Sequence, residues 1–189
     1  LIGLLGSAVF TICFLLLSLL VLVWLIYAAG QVPFVVLWDW APWQNRVTIS
    51  AMVLACLLIG LALGRPNPLS FGGRRNEDFV PARAGVVGWV RHPFLAALLL
   101  WSAGHLTANG DLGHALLFGA FACFSLLGMR MVDRRKQRQF GVEAWQKLAA
   151  CRPGFRASGS GAWRMCAGLW LLCGPYFSHC FVIGVVPTF

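Results

Sequence analysis

Residues 90–111, V-R-H-P-F-L-A-A-L-L-L-W-S-A-G-H-L-T-A-N-G-D, decide the fold of this chain. An apolar run begins at Pro93, where the missing amide donor of proline costs nothing because the first helical position has no partner for it. The run closes on Asn109 and Gly110, a helix-stop pair. His92 and His105 stand thirteen residues apart on it, roughly 20 Å at about 1.5 Å per helical residue. The segment therefore reads as a short membrane helix with an imidazole near each end. Histidine is scarce in bilayers and costly if unsatisfied, so two of the chain's four on one span mark a candidate site.

Composition points the same way. Of 189 residues, 59% are apolar and only 11% charged, against roughly a quarter charged in soluble proteins. Crossing about 30 Å of hydrocarbon takes about 17 to 25 residues, and five stretches qualify or come close: 1–29, 47–64, 93–108, 112–131 and 163–186. The expected fold is all-α, a single polytopic membrane bundle of about five transmembrane helices.

A net charge of +9 raises the question of nucleic acid. All the bases but Arg46 instead fall in two loops, Arg65 to Arg91 and Arg130 to Arg164, rather than on one face with interleaved aromatics, which excludes that class. The positive-inside rule puts both loops on the cytoplasmic side, with the N-terminus of the chain inside and its C-terminus outside. Trp24, Tyr27, Trp38, Trp40 and Trp43 form an aromatic belt toward the outer leaflet, where residues 31–44 lie as an interfacial hairpin with Asp39 as a local cap. Asn109 and Asp111 cap the turn into helix four. The segment M-V-D-R-R-K-Q-R-Q-F-G-V-E-A-W-Q-K-L is basic and amphipathic, suited to the anionic inner leaflet with Phe140, Trp145 and Leu148 turned inward. Seven cysteines without CxxC spacing read as small apolar packing residues.

The chemistry-bearing residues are the histidines. Helix five reaches His179 fifteen residues after Arg164, about 22 Å up, the depth of His105. Two imidazoles at one depth on different helices suit the axial positions of a haem iron, and His114 is a weaker third candidate. Arg91 and His92, beside a helix N-terminus, favour an anion such as a haem propionate, a lipid phosphate or a substrate carboxylate. Nothing in the sequence offers a Ser/His/Asp nucleophile, a paired-carboxylate site or a phosphate-cradling glycine loop.

The P-N-P-L-S-F-G of loop two, R-H-P, W-S-A-G-H-L-T-A-N-G-D, L-L-F-G-A-F-A and D-R-R-K together resemble the NnrU family of bacterial membrane proteins over most of the chain. The resemblance implies an association with denitrification and kinship with zeta-carotene isomerase, a haem b membrane enzyme whose haem-ligating histidine corresponds to His105. The resemblance also implies a further helix carrying a histidine, expected ahead of Leu1. The second ligand then comes from such a helix or from His179. A weaker resemblance links R-H-P, F-G-V-E-A-W and Arg152-Pro153 to isoprenylcysteine methyltransferases, implying S-adenosylmethionine near Arg91, His92 and Glu143. A third expectation is a non-catalytic accessory subunit, packed through its smooth first helix against a larger respiratory or photosynthetic membrane complex in the lipid bilayer.

Overall fold

The computed structural model describes residues 7–151 together with Cys166 and Gly168. Among them the fold is all-α. The helices are α1 (Ser7–Gly30), α2 (Pro42–Ala62), α3 (Pro93–Ala108), α4 (Leu112–Phe140) and α5 (Val142–Ala149). Three of these, α1, α2 and α4, are long and apolar enough to cross a membrane, and α3 is a shorter apolar helix. The expected fifth span, 163–186, lies outside the described residues apart from Cys166 and Gly168, both helical. A Cβ at Gly168 would stand 2.7 Å from the Cys56 carbonyl, so that turn passes close to α2.

The centre of the bundle is α2 against α3 and α3 against α4. Small residues permit the closest approach: a Cβ at Gly104 would lie 3.0 Å from Ala51 Cβ and 3.3 Å from Thr48 Cα. Thr48 Oγ1 crosses this interface to the Gly104 carbonyl at 2.8 Å, an interhelical hydrogen bond of the kind that holds helices where apolar contact alone favours none. By contrast, Ser18, Ser102 and Ser125 donate back to carbonyls three or four residues earlier on their own helices, which satisfies a hydroxyl without a partner helix.

Two boundaries differ from the sequence expectation. Helix two starts at Pro42, five residues earlier than 47, because Pro42 fits the first turn and Gln44 Oε1 accepts from the Ala41 amide at 2.9 Å. The cap is thus Gln44 and not Asp39, whose backbone carbonyl accepts from Gln44 Nε2. Helix four runs through the basic stretch to Phe140 rather than ending at 131. Arginine, lysine and glutamine are good helix formers, so the helix continues past the apolar part until Gly141, at φ +81°, stops it. At 29 residues it is about 43 Å long against about 30 Å of hydrocarbon.

Loop one is tied to the α3–α4 turn by backbone hydrogen bonds. Leu37 and Trp38 amides donate to the Gly110 carbonyl, the Leu112 amide donates to Val35, and Trp38 Nε1 donates to Thr107. At the other end, residues 63–92 fold into three short 3-10 turns around Ala62, Ala84, Val86 and Val87. Phe79, Phe94 and Cys151 pack on that small core. In α1, nearly every side chain from Ile12 to Tyr27 is exposed, a surface for lipid.

Replacing Gly104 by leucine is expected to lower the thermal midpoint of the detergent-solubilised chain, with a cost of about 1–3 kcal/mol from overpacking. Leucine at Gly119, where a Cβ meets nothing within 4 Å, should leave the midpoint unchanged, and equal melting of the two variants would contradict the packing described.

Candidate functional site

The α3–α4 hairpin sets the register of everything at the basic end. Folding back across the three residues 109–111 places Gly128 against Leu95, where a Cβ would lie 3.3 Å from Leu95 Cδ2. Just over one turn further along α4, Asp133 arrives beside the start of α3. Its carboxylate accepts from Arg91 Nη1 at 2.8 Å through Oδ2 and faces His92 Nε2 at 3.1 Å through Oδ1. The anion that Arg91 and His92 favour is therefore supplied by the chain itself.

His92 is the N-terminal flanking residue of α3 and is buried, 5% exposed. Its Nδ1 lies 3.0 Å from Ser70 Oγ, and Ser70 is 4% exposed. A carboxylate can only accept, so in the neutral ring Nε2–H donates to Asp133 and Nδ1 accepts the Ser70 hydroxyl proton. Burial holds the His92 pKa below the usual imidazole value; Asp133 opposes that shift and Arg91 adds to it. Asn67 completes the frame, donating through Nδ2 to the Arg91 carbonyl at 3.0 Å and accepting the Leu69 amide through Oδ1. The Arg91 guanidinium lies 4.7 Å above the Trp145 ring of α5, so loop two, α3, α4 and α5 all meet here. A Ser/His/Asp line does exist, contrary to the sequence expectation. Its members stand 22 and 41 residues apart and come from three elements, so no local spacing announces them.

His105 occupies the last turn of α3 at the other end. Its Nδ1 lies 2.8 Å from the Trp101 carbonyl, which only accepts, so the proton sits on Nδ1 and the lone pair on Nε2. The ring packs 5.0 Å from Trp101 and 5.1 Å from Phe118 of α4. His114 stacks on the same Phe118 at 5.9 Å, and its Nδ1 meets Asp111 Oδ2 at 2.6 Å. Asp111 also caps α4 by accepting the His114 amide at 3.1 Å. Burial raises the Asp111 pKa, but these hydrogen bonds and the nearby ring outweigh it and leave the carboxyl below its ordinary value. His105 and His114 thus share one aromatic cluster, whereas His179 lies outside the described residues. Arg91 and His92 belong to the opposite end of α3.

A family model described as NnrU protein matches residues 1–187. The chain belongs to the NnrU family. No curated protein and no solved structure matches it. With its long apolar helices, this NnrU chain is a multi-pass membrane protein.

The unfolded chain protonates His92 near 6.5, while the folded ring does so only at lower pH. Its contribution to stability is therefore complete above 6.5 and is lost as pH falls through the folded value. Melting curves of the wild type and His92→Gln between pH 8 and 5 should show a gap that narrows below 6.5; a gap independent of pH would contradict a buried neutral ring.

Proposed function

We propose that this NnrU-family protein binds haem b with His105 as an axial ligand. The observation that carries the reading is the hydrogen bond from His105 Nδ1–H to the Trp101 carbonyl at 2.8 Å. Metal-ligating histidines donate their second ring nitrogen in this way, which fixes the tautomer, orients the ring and raises its basicity. Trp101, Phe118 and Phe121 supply the aromatic walls, the last two each about 5 to 6 Å from Trp101 in edge-on contact, a lining suited to a flat macrocycle. Bound haem would supply a redox-active iron for small-ligand binding, in keeping with an association with denitrification, or for isomerase-type chemistry.

His179 is the candidate for the second axial position. Arg91 and His92 are poor partners for a propionate, because Asp133 already neutralises them and a second carboxylate would have to displace it. The expected setting is a bacterial inner membrane with the basic end toward the cytoplasm. The exposed surface of α1 suits lipid or a larger membrane complex.

One contact favours a second reading. The Arg91 guanidinium over Trp145 joins R-H-P to F-G-V-E-A-W, the two segments that resemble isoprenylcysteine methyltransferases, with Glu143 in the first turn of α5. In that reading the basic end holds S-adenosylmethionine, and calorimetric titration should detect binding that His92→Ala removes.

The haem reading is tested by the absorption spectrum of the purified chain with a pyridine haemochrome assay. His105→Ala is expected to lose the Soret band and His92→Ala to keep it. A wild type without haem, or a Soret band unchanged by His105→Ala, would overturn the assignment.

A further inference from the structure

The line of hydrogen bonds through Ser70, His92 and Asp133 has no task in haem binding, and its geometry differs from that of the other buried serines. Ser102 and Ser125 donate to the carbonyls of Leu99 and Phe121, which leaves their oxygens inert. Ser70 Oγ instead faces an imidazole nitrogen at 3.0 Å, and the far nitrogen of that ring faces a carboxylate at 3.1 Å. This is the arrangement of nucleophile, base and orienting acid found in hydroxyl nucleophiles activated by histidine. Here Nδ1 rather than Nε2 faces the serine; a neutral imidazole has one donor and one acceptor and works either way round.

We propose that Ser70 is a nucleophile, with His92 as its general base and Asp133 as the orienting acid, for cleavage of a carboxylic ester that bears a hydrocarbon acyl chain. The ester class follows from what surrounds Ser70. Phe71, the next residue, is 50% exposed and stacks on Phe94 with ring centroids 6.1 Å apart. Gly72 turns the chain at φ +79°, and a Cβ there would stand 2.7 Å from Phe94 Cε2, so the backbone bends tightly under that ring. Val80 and Trp89 of the same loop are exposed as well. The exposed Phe71 and its stack on Phe94, beside a membrane-spanning bundle, suit an acyl chain drawn from the adjoining leaflet.

The other groups have defined parts. Arg91, 2.8 Å from the second oxygen of Asp133, fixes the orientation of that carboxylate. Burial keeps His92 in its neutral, proton-accepting form. Ser70 Oγ adds to the ester carbonyl carbon as its proton passes to His92 Nδ1, and Asp133 stabilises the imidazolium so formed. The ester C–O bond then breaks, and the alcohol leaves with the proton from His92. Water gives its proton to His92, adds its oxygen to the acyl carbon, and displaces Ser70 Oγ, which recovers the proton. The balance is ester plus water to acid plus alcohol, with no change of oxidation state.

The test uses the full chain in lipid nanodiscs and a fluorophosphonate probe, which bonds covalently to activated serine hydroxyls. Peptide mapping of the labelled wild type is expected to place the adduct on Ser70. Ser70→Ala should abolish labelling, His92→Gln should slow it by about 100-fold or more, and Ser102→Ala and Ser125→Ala should leave it unchanged. A long-chain p-nitrophenyl ester should be hydrolysed with the same pattern of losses. An unlabelled wild type, an adduct mapped elsewhere, or labelling of Ser70 that His92→Gln does not slow would each overturn the proposal. Because mapping is done on the wild type, a variant that fails to fold does not blunt the test. A wild type that labels at Ser70 but carries no Soret band would uphold this site and overturn the haem reading, so the two fail separately.

Discussion

One carboxylate holds the basic end of this protein together. Asp133 accepts from Arg91 through one oxygen and faces His92 through the other, and each of those residues then reaches a further element. His92 meets Ser70 of loop two, and Arg91 lies over Trp145 of α5. Charge-assisted bonds of this kind are stronger than neutral ones, and removing the shared acceptor leaves a guanidinium and a buried ring N–H without a partner, a cost of about 1–3 kcal/mol for the buried group alone. Loop two carries its own small apolar core, and these polar contacts, Asn67 and the packing of Phe94 fix it to the mouth of α3.

The opposite end is built on different physics. There the backbone of loop one is hydrogen-bonded to the turn between α3 and α4, and Gly110 sits against the Trp38 backbone where no side chain would fit. The aromatic cluster of Trp101, His105, Phe118 and His114 lies just inside that seam. Bonding among backbone groups satisfies what a bilayer cannot hydrate, so the residues around His105 are held chiefly by the turn, with Asp111 pairing His114 beside it. The two ends of α3 accordingly present two imidazoles in contrasting settings: one buried among charges, the other framed by rings and a carbonyl.

Much of this was legible in the sequence, and the misses have physical reasons. The helical hairpin follows from apolar run length, Pro93 and the Asn-Gly stop. His105 stood out because an imidazole in a membrane span needs a reason; its tautomer required the position of the Trp101 carbonyl. The end of α4 was misplaced because charge marks where a span leaves the hydrocarbon and not where a helix stops; Gly141 marks that. Arg91 and His92 were legible as an anion-seeking pair. Their anion was not, because Asp133 becomes a neighbour only after the register across residues 109–111 is known. Ser70 was invisible for a stronger reason, since it sits in an irregular loop whose path is set by Asn67, Gly72 and the packing of Phe94.

The unbroken course of α4 joins these two settings mechanically. Phe118, against His105, and Asp133, against His92, lie fifteen residues apart on one helix, about 22 Å along its axis. A helix is stiff on that length scale, so an axial slide or a roll that loosens Phe118 from the imidazole at one end displaces the carboxylate at the other by a similar amount. The two settings are thus carried by one continuous rod, and the length of α4 between Phe118 and Asp133 fixes the distance between them.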